Sequence, residues 1–355
     1  MRTPSLTLPR NTGGGNRYAP FFIVLFALCI ASRATSAFAD DSPTEIDQSI
    51  SRGLTYLATQ QNADGSFAAS QKPAMTGLAL GAYLSAGHTA DVGQYGGVVR
   101  RAISYLLSAA RPDGTFGPSD RPMYDQAIAT LALAEAYGVE PNEEQRRRIA
   151  ALLSKSVQII VNAQNVRKSA DFTGGWGTAA NSADSDLPLT GWNSMALRAL
   201  LDCGFEVPKT SVSRSLQFVM RCEEPAIKGF GYQPHQAANP NCTGVAAICL
   251  LLLDPRDESH RKTANQAAQY LMTHRVEEGS QYMYYGFFCT NLAIFENGDP
   301  SLSAISNATS ARLLKLQQPD GGWPQTSEGP GRAYTTSMSL LTLTISYKML
   351  PLYQR

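Results

Sequence analysis

The stretch Arg52-Gly53-Leu54-Thr55-Tyr56-Leu57-Ala58-Thr59-Gln60-Gln61-Asn62-Ala63-Asp64-Gly65-Ser66-Phe67 decides the reading of this chain, because it recurs. Arg101-Ala102-x-x-Tyr105-Leu106-x-x-x-Ala110-x-x-x-Gly114-x-Phe116 repeats its spacing throughout. Leu313-x-x-x-Gln317-x-x-x-Gly321-x-Trp323 repeats it again near the end. All three copies pass through Asp-Gly, at Asp64, Asp113 and Asp320. Weaker copies run from Ile160-Val161 and Gln164 to Gly174-Gly175-Trp176, from Phe218-Val219 to Gly229-Phe230, and from Tyr270-Leu271 to Gly279-x-x-Tyr282. The aromatic markers stand at 67, 116, 176, 230, 282 and 323, so six units of about 50 residues fill the chain.

Each unit carries two helical patterns. The one before the Gly-aromatic turn has a single apolar stripe, as in Ile46, Leu54 and Leu57. The one after it is apolar nearly all round: 75–84, 127–136, 195–201, 243–253, 287–295 and 336–343. A helix that is apolar on every side is buried on every side. No stretch alternates with the period of a strand. The spacing therefore predicts an all-α fold of six helix pairs, amphipathic helices outside and apolar ones inside. Helix-pair repeats either stack as an open solenoid or close as a ring, and periodicity does not choose between them.

The first 39 residues read differently. Arg2, Arg10 and Arg17 precede the apolar run 21–31, and Ala37-Phe38-Ala39 precedes Asp40. The run is shorter than the roughly 20 residues a bilayer span needs. Together these features mark a secretory signal peptide over 1–39, cleaved after Ala39, with 40–355 as one domain exported to the periplasm or medium. Removing the leader takes four arginines and no acid, leaving 26 basic and 29 acidic residues, net −3. Charged residues are 17% of the 355, and the longest basic run is Arg146-Arg147-Arg148. That balance excludes a disordered chain and a nucleic-acid partner. No later apolar run reaches bilayer length.

The Gln-x-x-x-Gly-x-(Phe/Trp) turn after an Arg-Gly-x-x-aromatic-aliphatic helix resembles the QW repeat of squalene and oxidosqualene cyclases, and protein prenyltransferases share a related version. The resemblance spans 43–350, with Phe67 and Phe116 where the family prefers Trp. It implies an α/α toroid, six inner and six outer helices around a central cavity. The motif itself reads as a staple without chemistry: glutamine bonds an orphan helix terminus, the aromatic stacks over it, and glycine permits the turn.

The resemblance also implies chemistry to look for. Class II terpene cyclases protonate carbon with the middle acid of Asp-x-Asp-Asp, a carboxyl kept neutral and strong. The matching stretch is Ala183-Asp184-Ser185-Asp186-Leu187-Pro188-Leu189-Thr190-Gly191-Trp192. Aligning Thr190-Gly191 with the Thr-Ala of the family puts Asp186 first and replaces the catalytic pair by Pro188 and Leu189. Aligning Asp184-Ser185-Asp186-Leu187 directly keeps two acids and inserts two residues. The first register is preferred, because Met195-Ala196-Leu197 then also matches, and it leaves Asp184 and Asp186 as capping or loop charges. Prenyltransferases bind zinc through Asp, Cys and His at inner-helix ends. Here none of His88, His235, His260 and His274 opens an inner helix, so no metal and no cofactor is expected. Cys222, Cys242 and Cys289 fall at one rim, either as one disulfide with a spare thiol or as small buried hydrophobes. Nucleophile elbow, P-loop, Rossmann and zinc-protease signatures are missing from the sequence.

In a ring the inner-helix starts converge on one rim. Tyr124, Asp125, Trp192, Tyr285, Phe287 and Tyr334 would meet there, a mixture suited to an apolar or flat ligand. Two classes of function follow. One is a non-catalytic toroid binding an apolar small molecule, an isoprenoid or lipid, or a protein. The other is an enzyme: a terpene-cyclase-like isomerase or transferase using Asp125, Asp184 or Asp186, or a polysaccharide lyase. Gly321-Gly322-Trp323-Pro324-Gln325 resembles one toroidal pectate lyase family, but Arg198 is the only inner-helix base and lies deep in its helix. The binding reading is favoured.

Overall fold

The computed structural model describes residues 44–354, apart from Pro118 and Glu328. The expected leader and cleavage site lie outside the described residues. Thr44–Arg355 form one compact unit, in which twelve α-helices are described. Odd-numbered helices are outer: α1 Glu45–Thr59, α3 Gly96–Ala109, α5 Glu143–Gln164, α7 Lys209–Arg221, α9 Glu258–Thr273 and α11 Ser303–Leu316. Even-numbered helices are inner: α2 Lys72–Ser85, α4 Pro122–Val139, α6 Leu187–Asp202, α8 Pro240–Leu253, α10 Met283–Asn297 and α12 Arg332–Thr344. A two-residue hairpin, β1 Glu223–Glu224 with β2 Gly229–Phe230, is the only strand pair among the described residues. No described helix is long and apolar enough to cross a membrane.

The inner helices pack in sequence, α2 on α4, α4 on α6, and so on to α12, which packs back on α2. The ring therefore closes, six inner helices within six outer ones, as the helix-pair pattern and the resemblance together implied. Nearly every residue of α8 is buried, whereas α7 buries five of its thirteen. That contrast is why the two patterns differ in sequence. Pro73, Pro122, Pro188 and Pro240 sit in the first positions of α2, α4, α6 and α8, where a missing N–H costs nothing.

The repeated turn divides its labour. Gly65, Gly114, Gly174 and Gly321 all have φ between 87° and 93°. A Cβ on Gly65, Gly174 or Gly321 would stand 2.2–2.5 Å from the carbonyl oxygen of Arg101, Arg214 or Arg52, on the following outer helix. Glutamine is expected to cap a helix terminus, but it does something else. Gln317 Nε2 donates to Gly321 O and to Ser49 O, 2.8 Å each, while Arg52 donates to its Oε1. Gln61 likewise joins Gly65 O to Val98 O, and Gln164 joins Gly174 O to Ser211 O. The glutamine thus ties its own turn to the next outer helix, and at Gln317 it ties the last repeat to the first. The indole performs the capping: Trp323 Nε1 donates to Leu313 O at 2.8 Å and Trp176 Nε1 to Ile160 O at 2.7 Å.

A second repeated pair explains the Thr-Gly dipeptides that open inner helices. The backbone N–H groups of Phe67, Trp176, Phe230 and Trp323 donate to Thr76, Thr190, Thr243 and Thr336 Oγ1. The glycines that follow, Gly77, Gly191 and Gly244, let the next inner helix close up. A Cβ there would lie 2.9 Å from Ile128 O, 2.4 Å from Val245 Cγ1 and 3.0 Å from the Cys289 backbone.

The fifth repeat departs from the pattern. Tyr282 is read above as its aromatic marker, yet it is 36% exposed and sits at φ 56° as the residue before α10. Arg275 occupies the glutamine position, four residues before Gly279, and nothing lies within 4 Å of a Cβ built on Gly279. Without the glutamine, the turn is joined to the next outer helix by Arg312, which donates to Val276 O at 2.9 Å. The five described cysteines are free, and all but Cys203 are buried, so the small-hydrophobe alternative describes Cys222, Cys242 and Cys289.

Candidate functional site

At the rim where inner helices begin, the ring holds a cavity of about 1060 Å³. Tyr124, Trp192, Tyr285 and Tyr334 line it, from four inner helices. Below them Met75 and Leu78 of α2 and Ile128 of α4 form an apolar wall. Leu78 and Ile128 lie about one helical turn below Met75 and Tyr124, on the same faces of α2 and α4. The upper edge is polar and comes from the turns and the start of α8: Gln71, Asp120, Arg121, Tyr232, Asn241 and Gln281. The cavity is therefore apolar at depth and hydrogen-bonding at the mouth.

Trp192 is the largest side chain of the floor. It is 4% exposed, lies nearly parallel to Phe288 at 6.0 Å, and meets Tyr285 at 5.7 Å. Tyr285 Oη donates to Pro188 O at 3.3 Å, which fixes its ring. The Arg121 guanidinium stands 5.9 Å from the centre of the Tyr124 ring. Gln71 and Tyr282 reach the mouth in left-handed backbone conformations, φ 47° and 56°. Such strain costs about 1–3 kcal/mol per residue and concentrates at functional sites.

Two of the residues expected at the rim are placed elsewhere. Phe287 is buried on the outward side of α10, with Tyr284 edge-on at 6.5 Å and the Arg312 guanidinium of α11 6.0 Å away. Its helix phase, two residues beyond Tyr285, turns it from the axis. Asp125 is fully buried behind Tyr124 and does not line the cavity. Its Oδ1 accepts the Ala74 N–H at 2.9 Å, capping α2 from the neighbouring helix, because Gln71 supplies no side-chain cap. Burial pushes its carboxyl up, partly offset by that amide. The acids that line the mouth are Asp120 and Glu277.

Asp184 is exposed in the loop before α6. Asp186 is the N-cap of α6, its Oδ1 accepting the Leu189 N–H at 2.8 Å. Burial raises its carboxyl to about 6 against the Leu189 amide and the Tyr232 hydroxyl, which both favour the anion. Pro188, two residues on, lines the cavity. Lys168 braces this loop, donating to Gly175 O at 2.7 Å and Ser185 Oγ at 2.9 Å, and burial lowers its ammonium to about 8. One acid–histidine group gathers donor atoms among the described residues, Asp254, Asp257 and His260. It stands at the start of an outer helix, hence at the opposite rim, and Asp257 is committed to capping α9.

Sequence reasoning misses the wall residues Leu78 and Ile128, though three- and four-residue steps from Met75 and Tyr124 would have found them. It also misses Tyr232, Arg121 and Gln281, which no periodicity marks.

Residues 175–286 match the family model for the prenyltransferase alpha-alpha toroid domain. The type II terpene cyclase MstE from Scytonema superposes with a TM-score of 0.54 at 17% identity, over 87% of this chain and 100% of that one. The chain is a divergent α/α toroid. Other solved structures superpose as well. The GH76A alpha-1,6-mannanase of Salegentibacter sp. gives 0.61 at 8% identity over 84% and 98% of the chains. A possible GH105 member from Salmonella enterica gives 0.60 at 14% over 87% and 95%. At such identities the likeness concerns the fold. Curated protein sequences give no match.

Proposed function

We propose that this toroid is an exported binding protein that holds an apolar or flat small molecule, an isoprenoid or lipid with one polar end, in the rim cavity. The observation that carries the reading is the graded lining: Met75, Leu78, Ile128 and Trp192 at depth, hydrogen-bonding groups at the mouth. The ligand would lie tail-down against α2, α4 and α6. Pro188 supports the absence of cyclase chemistry. In the preferred register it takes the place of the catalytic acid, and its ring, at the cavity wall, carries no proton.

Trp192 gives a direct test. It alone of the three tryptophans lines the cavity, Trp176 and Trp323 being fully buried in turns. Titrating the secreted chain with farnesol should quench or shift its fluorescence, and Trp192→Phe should abolish the change. Mass spectrometry of the native protein should find a co-purifying apolar molecule. No fluorescence change, together with an empty extract, rejects the proposal.

A second reading rests on Asp186, a buried carboxyl raised to about 6 beside Tyr232 of the mouth. It makes the toroid a proton donor to an alkene. Incubation with squalene or oxidosqualene should then yield a cyclic product that disappears in Asp186→Asn. The binding reading expects no product from either protein.

A further inference from the structure

The far end of the ring, where the inner helices finish, is crossed by the chain's last residues. After α12 the chain passes the end of α2, where Met349 lies against Gly87, and reaches α4, where Pro351 approaches Gly138. The turn Pro351–Tyr353 packs on both α4 and α6. Leu352 and Tyr353 are buried, and the Tyr353 ring meets Phe295 of α10 at 6.5 Å. One short segment thus reaches four of the six inner helices where they finish.

The polar contact beneath this segment is an uncomfortable one. Glu135 of α4 is 3% exposed, and its Oε1 accepts the Leu352 N–H at 3.2 Å. Its Oε2 is buried without a hydrogen-bond partner. The titratable groups facing it are Asp202 and the Cys203 thiol of α6 and the Tyr353 phenol of the tail. Glu296 of α10 faces the other side of Tyr353. Arg198, the near cation on α6, is committed to Asp202 at 2.9 Å. A carboxylate here would have one amide donor and acidic neighbours. A neutral carboxyl can stay, whereas an anion is stabilised by water, which only the departure of the tail admits.

We propose that residues 349–354 form a stopper at the far end of the toroid, and that the stopper stays closed through a proton held on Glu135. Lifting it would open the ring from the side opposite the rim cavity. The inference does not depend on what the cavity binds.

The sign follows from linkage. Burial raises the Glu135 carboxyl from an ordinary 4.5 to about 8 in the closed state. The proton's contribution to closure is complete below the ordinary value, is lost as pH rises towards about 8, and does not change beyond. Hydrogen exchange of the full chain reads this directly. Corrected for the intrinsic exchange rate, protection of the Leu352 amide should fall by up to about tenfold per pH unit between pH 5 and 8 and level off above. Glu135→Gln keeps the acceptor and removes the charge, so its protection should be flat with pH. Tyr353→Ala removes the apolar anchor, so its protection should be lower at every pH with the slope unchanged. A pH-independent wild type overturns the proposal, as does a Glu135→Gln protein with the wild-type slope. So does loss of the slope in Tyr353→Ala. Equal pH dependence at the interior Leu197 amide also overturns it, because whole-domain unfolding would then explain the exchange.

Discussion

Trp192 and Trp323 are both buried tryptophans, and they answer to different demands. Trp323 is enclosed on every side and spends its indole N–H on the last turn of α11. Trp192 has one face on Phe288 and lines the cavity. Trp323→Ala should therefore cost about 3–5 kcal/mol of stability, the range for a fully buried aromatic. Trp192→Ala should cost clearly less, because the space it leaves joins a cavity that already exists, and it should weaken ligand binding. Chemical denaturation of both proteins checks the ranking; equal losses would mean that the cavity is closed in solution. At this scale the sequence was only partly legible. Tyr124, Trp192, Tyr285 and Tyr334 follow from where inner helices begin. Phe287 and Asp125 were misplaced because a helix start gives a residue's height along the axis but not its rotation about it. Two residues beyond Tyr285 is about 200° around the helix, enough to turn a ring from the axis to the wall.

The turns, more than the helices, join one repeat to the next. Their glycines do two jobs, adopting positive φ and admitting a carbonyl of the next outer helix. Gly321→Ala tests both, since its φ is 91° and a Cβ would stand 2.4 Å from Arg52 O. Gly204→Ala tests the first alone, with φ 82° and open space around it. Thermal or denaturant unfolding should show Gly204→Ala losing about 1 kcal/mol and Gly321→Ala at least twice that. Similar losses would mean that the approach to Arg52 is looser than described. Helices and turns were readable because the motif states its own geometry: an Asp-Gly can be recognised wherever it falls. The fifth repeat was not, because Arg275 stands where the motif has glutamine and Tyr282 follows its glycine by three residues instead of two.

For the whole molecule, the decisive contacts join residues far apart in sequence. Gln317 holds Ser49, Thr344 Oγ1 donates to Ser85 Oγ at 2.8 Å, and the Tyr347 hydroxyl bonds Asp47. Removing residues 305–355 would strip α12 from between α10 and α2 and expose two apolar inner-helix faces. Such a fragment should not survive as a trimmed version of the protein. Circular dichroism and limited proteolysis should find it unfolded or aggregated; a soluble 40–304 fragment with its own sharp melting transition would argue against a closed ring. Closure was the one large feature that composition and period left open, because an open stack and a ring share every local contact but one.

That one contact has a topological consequence. The junction of α11 with α1 is made by the same glutamine-and-glycine turn as the junctions of α1 with α3 and of α5 with α7, so it resembles a junction inside the chain. The described chain begins at the foot of α1 and ends across that same far face. Thr44 and Gln354, the first and last described residues, therefore lie on one side of the ring. Joining them by a linker and cutting elsewhere, for example in the short connection 254–257 between α8 and α9, would preserve every junction. Such circular permutants should reach the same toroid by a different order of synthesis, and the placement of the termini would then be an accident of descent instead of a requirement of the architecture.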